Sequence, residues 1–229
     1  MNFLLRYNVL HIVILLVLNF IGLYVMPILI NDRLNCFVIT TIYFIIVNLS
    51  MIFWVCKFGI ASKYSIGKVI KPLNQFNDYL LIVVIFIGSF ISVYLLSIAQ
   101  RYHLFDFLAT NLQKPLITPY INDAKRLRIL VTFLMISSTI ILVVSEELFF
   151  RAYLFERQFL YMGRFTWLLN GFFWTVYHLF AKSNLIEFLP MALLYSFAYQ
   201  KKRNLIITLI AHLMINLISV SRFIFPLYI

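Results

Sequence analysis

The chain has 229 residues, of which 63% are hydrophobic and only 12% are charged. A soluble globular protein is nearer half apolar, so this composition excludes the soluble classes. The net charge of +11 does not indicate nucleic-acid binding, because the basic residues lie between long apolar stretches, where they contact lipid headgroups. The sequence therefore predicts an integral membrane protein, with membrane lipids and no nucleic acid among its partners.

Seven apolar stretches are predicted to cross the membrane as helices, because a crossing takes about 20 residues. They cover residues 9–30, 37–55, 79–99, 129–163, 166–181, 188–199 and 205–220. Six or eight crossings stay open as alternatives, because the sixth stretch is short and Asn170 and Gly171 interrupt the start of the fifth. The predicted fold is an all-α, polytopic helix bundle that forms one membrane domain over residues 1–229, with its active site inside the bundle.

The connections between the stretches carry the basic residues and predict the orientation. Residues 57–78 hold four lysines, and residues 100–128 hold Pro115, Pro119 and a basic cluster. With the N-terminus inside, eleven basic residues lie on the cytoplasmic side and eight on the other, which favours a cytoplasmic N-terminus. The first stretch lacks a small-residue cleavage site, so it is expected to remain as a membrane span.

Two adjacent carboxylates lie at the end of the fourth apolar stretch. Glu146 and Glu147 follow the uncharged run 129–144, although the whole chain has only eight acidic residues. An ionisable residue at bilayer depth costs roughly 2.5–3.5 kcal/mol and indicates function by default. Glu147 and Arg151 are spaced i and i+4, with the acid first, which favours an ion pair. Glu146 lies about 100° around the helix from Glu147, so this spacing leaves it available for chemistry.

Three further polar residues lie in later apolar stretches. His178 comes four residues after Trp174 in the fifth stretch, and His212 and Asn216 share one helix face in the seventh. Unpaired polar groups in lipid cost several kcal/mol each, so these side chains are expected to converge with Glu146. Each of them taken alone has a structural interpretation, but that interpretation does not explain why they occur together.

Isolated asparagines in membrane helices are interpreted differently. A single Asn in such a helix commonly forms an interhelical hydrogen bond, worth about 0.6 kcal/mol. We apply this structural interpretation to Asn19 and Asn48, which lie in the first and second stretches.

Two kinds of hydrolytic site fit the converging set. In the first, Glu146 acts as a general base toward a water that His178 shares. His212 and Asn216, one helical turn apart, then donate hydrogen bonds to the oxyanion of a tetrahedral intermediate. In the second, Glu146, His178 and His212 bind zinc and leave a fourth position open for water. The chain has no H-E-x-x-H motif, so the common zincin arrangement is excluded.

The motifs E-E-x-x-x-R, aromatic-x-x-x-H and H-x-x-x-N occur here in this order. Together they resemble the signatures of the CAAX protease and bacteriocin-processing family (CPBP, or Abi), which includes the type II CAAX prenyl endopeptidases. The resemblance covers about residues 129–219, and the first three stretches carry no such signature. It implies an intramembrane endopeptidase in which Glu146 and His178 activate water and His212 and Asn216 stabilise the oxyanion.

The resemblance also implies supporting roles around these four residues. Glu147 and Arg151 match the first motif and are expected to support the site. The second motif departs from the family at Trp174, where the family usually has Phe, so the aromatic character is kept and the pocket is expected to change shape. The resemblance leaves the requirement for a metal open, so zinc at Glu146, His178 and His212 stays an alternative.

The predicted function is cleavage of a peptide or protein tail from a water-filled cavity that opens toward the cytoplasm. The Lys-, Ile-, Asn- and Phe-rich composition predicts a bacterial plasma membrane protein, for which peptide signals or bacteriocins are more expected substrates than prenylated CAAX tails. One alternative is a non-catalytic bacteriocin-immunity or scaffold protein, and another is a proton-coupled transporter or channel. The sequence leaves the oligomeric state open.

Overall fold

The computed structural model describes residues 2–30, 32–59, 68–101, 125, 127–178 and 185–227. The secondary structure in these ranges is helical and contains no strand, which confirms the predicted all-α membrane bundle. Most of the connection 100–128, with Pro115 and Pro119, lies outside the described residues, and so does the predicted end of the fifth stretch beyond His178.

We number the α-helices of the described residues in chain order. They are α1 (Asn2–Phe20), α2 (Met26–Leu29), α3 (Arg33–Gly59), α4 (Phe76–Arg101), α5 (Arg128–Glu146), α6 (Glu156–Met162), α7 (Thr166–Tyr177), α8 (Leu185–Lys202) and α9 (Leu205–Ile224). A π-helical segment, Ile21–Val25, joins α1 to α2, and a second, Glu147–Phe155, joins α5 to α6. Short 3₁₀ turns follow at Gly163–Phe165 and Phe225–Leu227.

Each of the seven predicted stretches coincides with a helical segment. The fourth runs through α5, the π segment and α6 to Met162, as expected, and the sixth is longer than expected because α8 has 18 residues. Within the described residues, four segments are long and apolar enough to cross a membrane, and Phe76–Ser92 is a shorter apolar helix. The four are Val9–Leu29, Leu34–Lys57, Arg128–Tyr177 and Leu205–Leu227. The exact number of crossings stays a prediction.

The outer surface of the bundle is apolar, whereas several ionisable residues are buried. Ile129 and Phe133 expose 76% and 67% of their surface, but Glu146, Glu147 and Arg151 expose 1% or less. Water as the surrounding solvent would favour the opposite distribution. Lipid covers exposed apolar side chains and leaves charged groups to pair inside the bundle. The distribution therefore supports an integral membrane protein.

The chain turns back at Gly163, and this turn places α7 against the preceding helix. Gly163 has a φ of +50°, which a glycine adopts without strain, and its N–H donates to the carbonyl oxygen of Phe159. Helix α7 then packs closely on α8 at Gly171, where an added Cβ would come within 3.0 Å of the Leu193 Cα. This close approach holds α7 in the centre of the bundle.

The start of α9 is fixed by an asparagine cap and by the segment before α4. The Asn204 side chain accepts a hydrogen bond from the Ile206 N–H at 3.1 Å, which satisfies one of the free donors of the first turn. The Leu205 N–H donates to the Val69 carbonyl oxygen at 2.7 Å. Both contacts fix the position from which α9 carries His212 into the bundle.

Candidate active site

Two of the predicted catalytic side chains, His178 and His212, approach the glutamate pair, one from just after the end of α7 and the other from α9. His178 follows the last residue of α7, and its Nε2 lies 3.6 Å from Oε1 of Glu146. His212 lies on α9, and its Nδ1 lies 3.0 Å from Oε1 of Glu147. His178 therefore lies beside Glu146, as expected, whereas His212 contacts Glu147 instead.

Glu146 is held by two side chains from α7. The indole Nε1–H of Trp174 donates to its Oε2 at 2.8 Å, and His178 faces its Oε1. The imidazole of His178 is itself oriented, because its Nδ1 lies 2.9 Å from the Trp174 carbonyl oxygen. The carboxylate therefore has one oxygen committed to Trp174 and the other directed toward His178.

Glu147 is enclosed by its own helix and by α9. The Thr208 hydroxyl donates to its Oε2 at 2.7 Å, and Arg151 Nε lies 3.8 Å from the same oxygen. His212 completes the set at Oε1. The Glu147–Arg151 ion pair expected from the i, i+4 spacing is present, and both side chains are fully buried.

The residues that follow Glu146 form a π-helix rather than an α-helix. The N–H of Glu147 is shared between the carbonyl oxygens of Val143 and Val144, and the π-helical geometry then persists to Phe155. Single-turn π segments occur frequently at functional sites. Nearly every residue of the segment is buried. The pattern of apolar and polar residues in the sequence therefore does not reveal the π-helical geometry.

Trp174 lies at the centre of the cluster and is fully buried. The Arg151 guanidinium lies 4.0 Å from the indole centroid, which is within range of a cation–π contact. The rings of His212 and His178 meet the indole edge-on, with centroids 5.0 and 5.7 Å away. Compared with the Phe that the resemblance implies at this position, Trp174 therefore adds a hydrogen-bond donor to the centre of the site.

Asn170 forms a second polar junction that the sequence did not indicate. Its Oδ1 accepts from Ser196 at 3.0 Å and from Arg151 Nη1 at 3.5 Å. Its Nδ2 donates to the Phe150 carbonyl oxygen and to the Gln158 side chain. A buried asparagine within an apolar helix is the signal that could have identified it.

A cavity of about 280 Å³ opens beside Glu146 and His178. Its described lining is mostly apolar, amide or hydroxyl in character. The lining residues are Asn19, Leu23, Thr41, Phe44, Asn48, Ser138, Thr139, Leu142, Glu146, Tyr177, His178 and Asn216. Among the four predicted catalytic residues, His212 is the one that does not line it. Helix α3 and the first helical stretch thus supply parts of the wall for which the sequence showed no motif, and α5 adds Ser138, Thr139 and Leu142, which precede its motif.

Asn216 and Asn48 each combine a structural contact with a position on the cavity wall. Asn216 Nδ2 donates to the His212 carbonyl oxygen at 3.1 Å, and a side-chain amide has a second N–H for a ligand. Asn48 accepts from the Ser145 hydroxyl at 2.6 Å, which links α3 to α5 as the interhelical interpretation expected. The sequence did not indicate that Asn48 and Asn19 also line the cavity.

The donor atoms do not converge in the way that a zinc site requires. Among the described residues, no three or more His, Cys, Asp or Glu side chains are placed to hold a metal ion together. The predicted set Glu146, His178 and His212 is divided, because His212 contacts the other glutamate. Zinc at these residues stays a prediction, and no step of the proposed reaction passes through a metal.

The fold and the site define a helical membrane protein with a buried carboxylate–histidine cluster. Residues 128–218 match the family model described as Type II CAAX prenyl endopeptidase Rce1-like. This is the family that the motifs resembled, and the match covers the same region, so that resemblance is confirmed. The chain matches no curated protein and no solved structure. The family match supports a membrane protein of the CAAX protease type.

Proposed function

We propose that the chain is an intramembrane endopeptidase that hydrolyses a peptide bond with a water activated by Glu146 and His178. The observation that carries the proposal is the position of this pair, 3.6 Å apart on the wall of a cavity inside an apolar bundle. A carboxylate and an imidazole at this separation can share one water molecule. The described lining contains one titratable side chain besides Glu146 and His178, namely Tyr177.

In the proposed reaction, Oε1 of Glu146 takes a proton from the water while the water oxygen attacks the carbonyl carbon. His178 Nε2 holds the water in line with the carbonyl. The proton is then passed to the leaving amine as the carbon–nitrogen bond breaks, so that one water adds across the peptide bond. Trp174 keeps Oε2 of the glutamate occupied, which leaves Oε1 as the proton acceptor.

The developing oxyanion is proposed to be stabilised by Asn216 on the cavity wall and by His212, which lies one helical turn earlier on α9 and outside the described lining. Asn216 lies on the cavity wall and has one N–H beyond the bond it donates to the helix. His212 donates from Nδ1 to Glu147 in the proposed tautomer, and in its imidazolium form it also donates from Nε2. Donors of this kind stabilise the charge that develops in the transition state. Glu147 and Arg151 are proposed to hold His212 in place.

The polar side chains of the cavity suit an extended peptide substrate. A peptide that unwinds inside a membrane must find hydrogen-bond partners for its free N–H and C=O groups. Asn19, Thr41, Asn48 and Ser138 supply both donors and acceptors along the wall. We therefore propose a peptide or a protein tail as the substrate, and the experiment below compares prenylated with unmodified peptides.

We further propose a bacterial plasma membrane location, with the N-terminus in the cytoplasm and the cavity opening on that side. The orientation rests on the distribution of Lys and Arg between the apolar stretches, and the bacterial location rests on the Lys-, Ile-, Asn- and Phe-rich composition. Reporter fusions to the N-terminus, one active only in the cytoplasm and one only outside it, test the orientation. If only the external reporter were active, the N-terminus would lie outside the cell and the proposed orientation would be wrong.

The test of function is cleavage by the purified protein in liposomes. Prenylated CAAX peptides and unmodified apolar peptides are added, and the products are identified by mass spectrometry. We expect wild-type protein to release products and His178→Ala to release none. His11→Ala is the matched control, because His11 packs against Trp54, with 3.9 Å between ring centroids, and does not line the cavity. Equal cleavage by His178→Ala, or no product from the wild type, would reject the proposal.

A non-catalytic immunity or scaffold role is a second candidate, because each carboxylate of the cluster has protein partners. Glu146 contacts Trp174 and His178. Glu147 contacts Thr208, Arg151 and His212. Such an arrangement would also suit a structural core. This role predicts that a His178→Ala protein, inserted at normal levels, keeps the biological effect of the wild type. Loss of the effect together with cleavage favours the endopeptidase.

A further inference from the structure

The hydrogen bond between Trp174 and Glu146 is a feature that the motif position does not require. The position usually holds Phe, whose ring has no donor. Here the indole Nε1–H lies 2.8 Å from Oε2 of the glutamate, and the whole indole is buried. A buried hydrogen bond to a charged acceptor is stronger than one between neutral groups, so it can fix the orientation of a carboxylate.

The other contacts of the indole hold it in this orientation. The Arg151 guanidinium lies over its face at 4.0 Å, while the rings of Phe188 and Tyr195 meet it at 5.0 and 5.6 Å. Two nitrogens of Arg151, Nε and Nη2, have no hydrogen-bond partner among the described residues. The positive charge of Arg151 is therefore stabilised largely by the ion pair with Glu147 and by the face of the indole ring.

We propose that Trp174 is a positioning residue that assigns different tasks to the two oxygens of Glu146. Oε2 is held by the indole N–H, so Oε1 is the oxygen that faces His178 and accepts the proton of the water. This inference rests on the proposed function. A phenylalanine in this position has no N–H and could not hold Oε2 of Glu146 in this way.

The same residue also connects the two halves of the site. Its N–H binds Glu146, its face lies under Arg151, and its edge meets His212. Glu147 binds both Arg151 and His212, so the indole contacts the partners of Glu147 while it binds Glu146 directly. A tilt of the indole would therefore move the proposed base relative to the proposed oxyanion donors.

The direct test removes the donor and keeps the ring. Trp174 is replaced by β-(3-benzothienyl)alanine, in which sulfur takes the place of the N–H, and in parallel by Phe. We expect kcat to fall about tenfold or more, because one charge-assisted hydrogen bond is lost. KM should stay within about twofold, because Trp174 does not line the cavity and loss of a transition-state interaction lowers kcat.

Trp54→Phe is the matched control for this substitution. The Trp54 indole also donates a hydrogen bond, which is partly buried, but its acceptor is the Tyr153 hydroxyl, at 3.3 Å, and neither residue lines the cavity. We expect its kcat to equal that of the wild type. An unchanged kcat in the benzothienyl variant, or a raised KM with an unchanged kcat, would overturn the positioning role.

A spectroscopic readout tests the contact independently of turnover. Protein labelled with ¹⁵N at the indole gives signals from three tryptophans, and the Trp174 signal is the one that disappears in Trp174→Phe. We expect Glu146→Gln to shift this signal, because the charged acceptor becomes a neutral amide. Glu156→Gln is the control, because Glu156 is another buried carboxylate and binds Tyr199 and Arg203 instead.

The two readouts separate the inference from the function on which it rests. An indole signal that does not move in Glu146→Gln overturns the inference and leaves the endopeptidase proposal intact. A wild-type protein that is inactive on every substrate overturns the endopeptidase proposal and, with it, the catalytic part of the inference. A signal that moves, together with a lower kcat and an unchanged KM, supports both.

Discussion

Glu146 and Glu147 are neighbours in the chain and equally buried, but their surroundings differ. Glu146 lines the cavity and contacts two groups from α7, an indole and an imidazole. Glu147 does not line the cavity, and it is surrounded by an arginine, a threonine and a histidine. One carboxylate faces a space that a ligand could enter, and the other lies within the packed protein.

The difference follows from the geometry of one helical step. Successive residues point about 100° apart, so adjacent side chains in the middle of a bundle face different neighbouring helices. Glu146 is the last residue of α5, and Glu147 begins the π segment. Helix α7 covers the first and α9 covers the second. We therefore propose different roles for two identical side chains, catalysis for Glu146 and support for Glu147, because different helices pack against them.

The largest expected effect is on activity, in the variant Glu146→Gln. The amide has no basic oxygen, so we expect hydrolysis to fall by about 10²–10⁴-fold, the usual contribution of a general base. The fold should persist, because the amide oxygen still accepts from Trp174. Turnover in liposomes and thermal unfolding in detergent measure the two properties. If both fell together, Glu146 would be a structural residue like its neighbour.

The next largest effect is on stability, in the variant Glu147→Ala. This change leaves Arg151 charged and buried without its carboxylate, and breaking a buried pair on one side costs about 3–5 kcal/mol. Reversible unfolding in mixed micelles measures the loss. The double variant Glu147→Gln with Arg151→Met should recover much of the stability, because no unpaired charge remains. A stable single variant would contradict a supporting role for Glu147.

Much of the architecture could be predicted from the sequence, because lipid imposes simple rules. Long apolar runs predict helices, and the continuation of the fourth stretch past Arg151 followed from its helical pattern. The assembly of Glu146 with His178 was also predictable, since isolated polar groups in lipid must find one another. The i, i+4 spacing predicted the Glu147–Arg151 contact directly.

The remaining features depend on contacts between distant parts of the chain. The pairing of His212 with Glu147, rather than with Glu146, is decided by how α9 rotates against the π segment, and local periodicity carries no information about that rotation. The π segment itself contains no glycine or proline that would mark it. Asn48 lies 97 residues from its partner Ser145, and its place on the cavity wall is set only when α3 packs on α5.

A smaller effect is expected at the cavity wall, in the variant Asn48→Ala. The Ser145 hydroxyl keeps its bond to the Leu142 carbonyl oxygen, so the loss of stability should be about 1 kcal/mol. Loss of one hydrogen bond to a peptide substrate should lower kcat/KM about tenfold, mostly through KM. Ser92→Ala is the control, because Ser92 lies on α4 and bonds its own helix. An unchanged KM would remove Asn48 from the substrate site.

The smallest expected effect is that of removing metal ions. A zinc site made of Glu146, His178 and His212 would require both histidines at one carboxylate, and this would abolish the contrast between the two glutamates. In the structure, His212 is engaged by Glu147, so we expect turnover to survive dialysis against a chelator. Metal analysis of the purified protein accompanies the assay. Activity that disappears on chelation and returns with Zn²⁺ alone would contradict this prediction and support the zinc alternative.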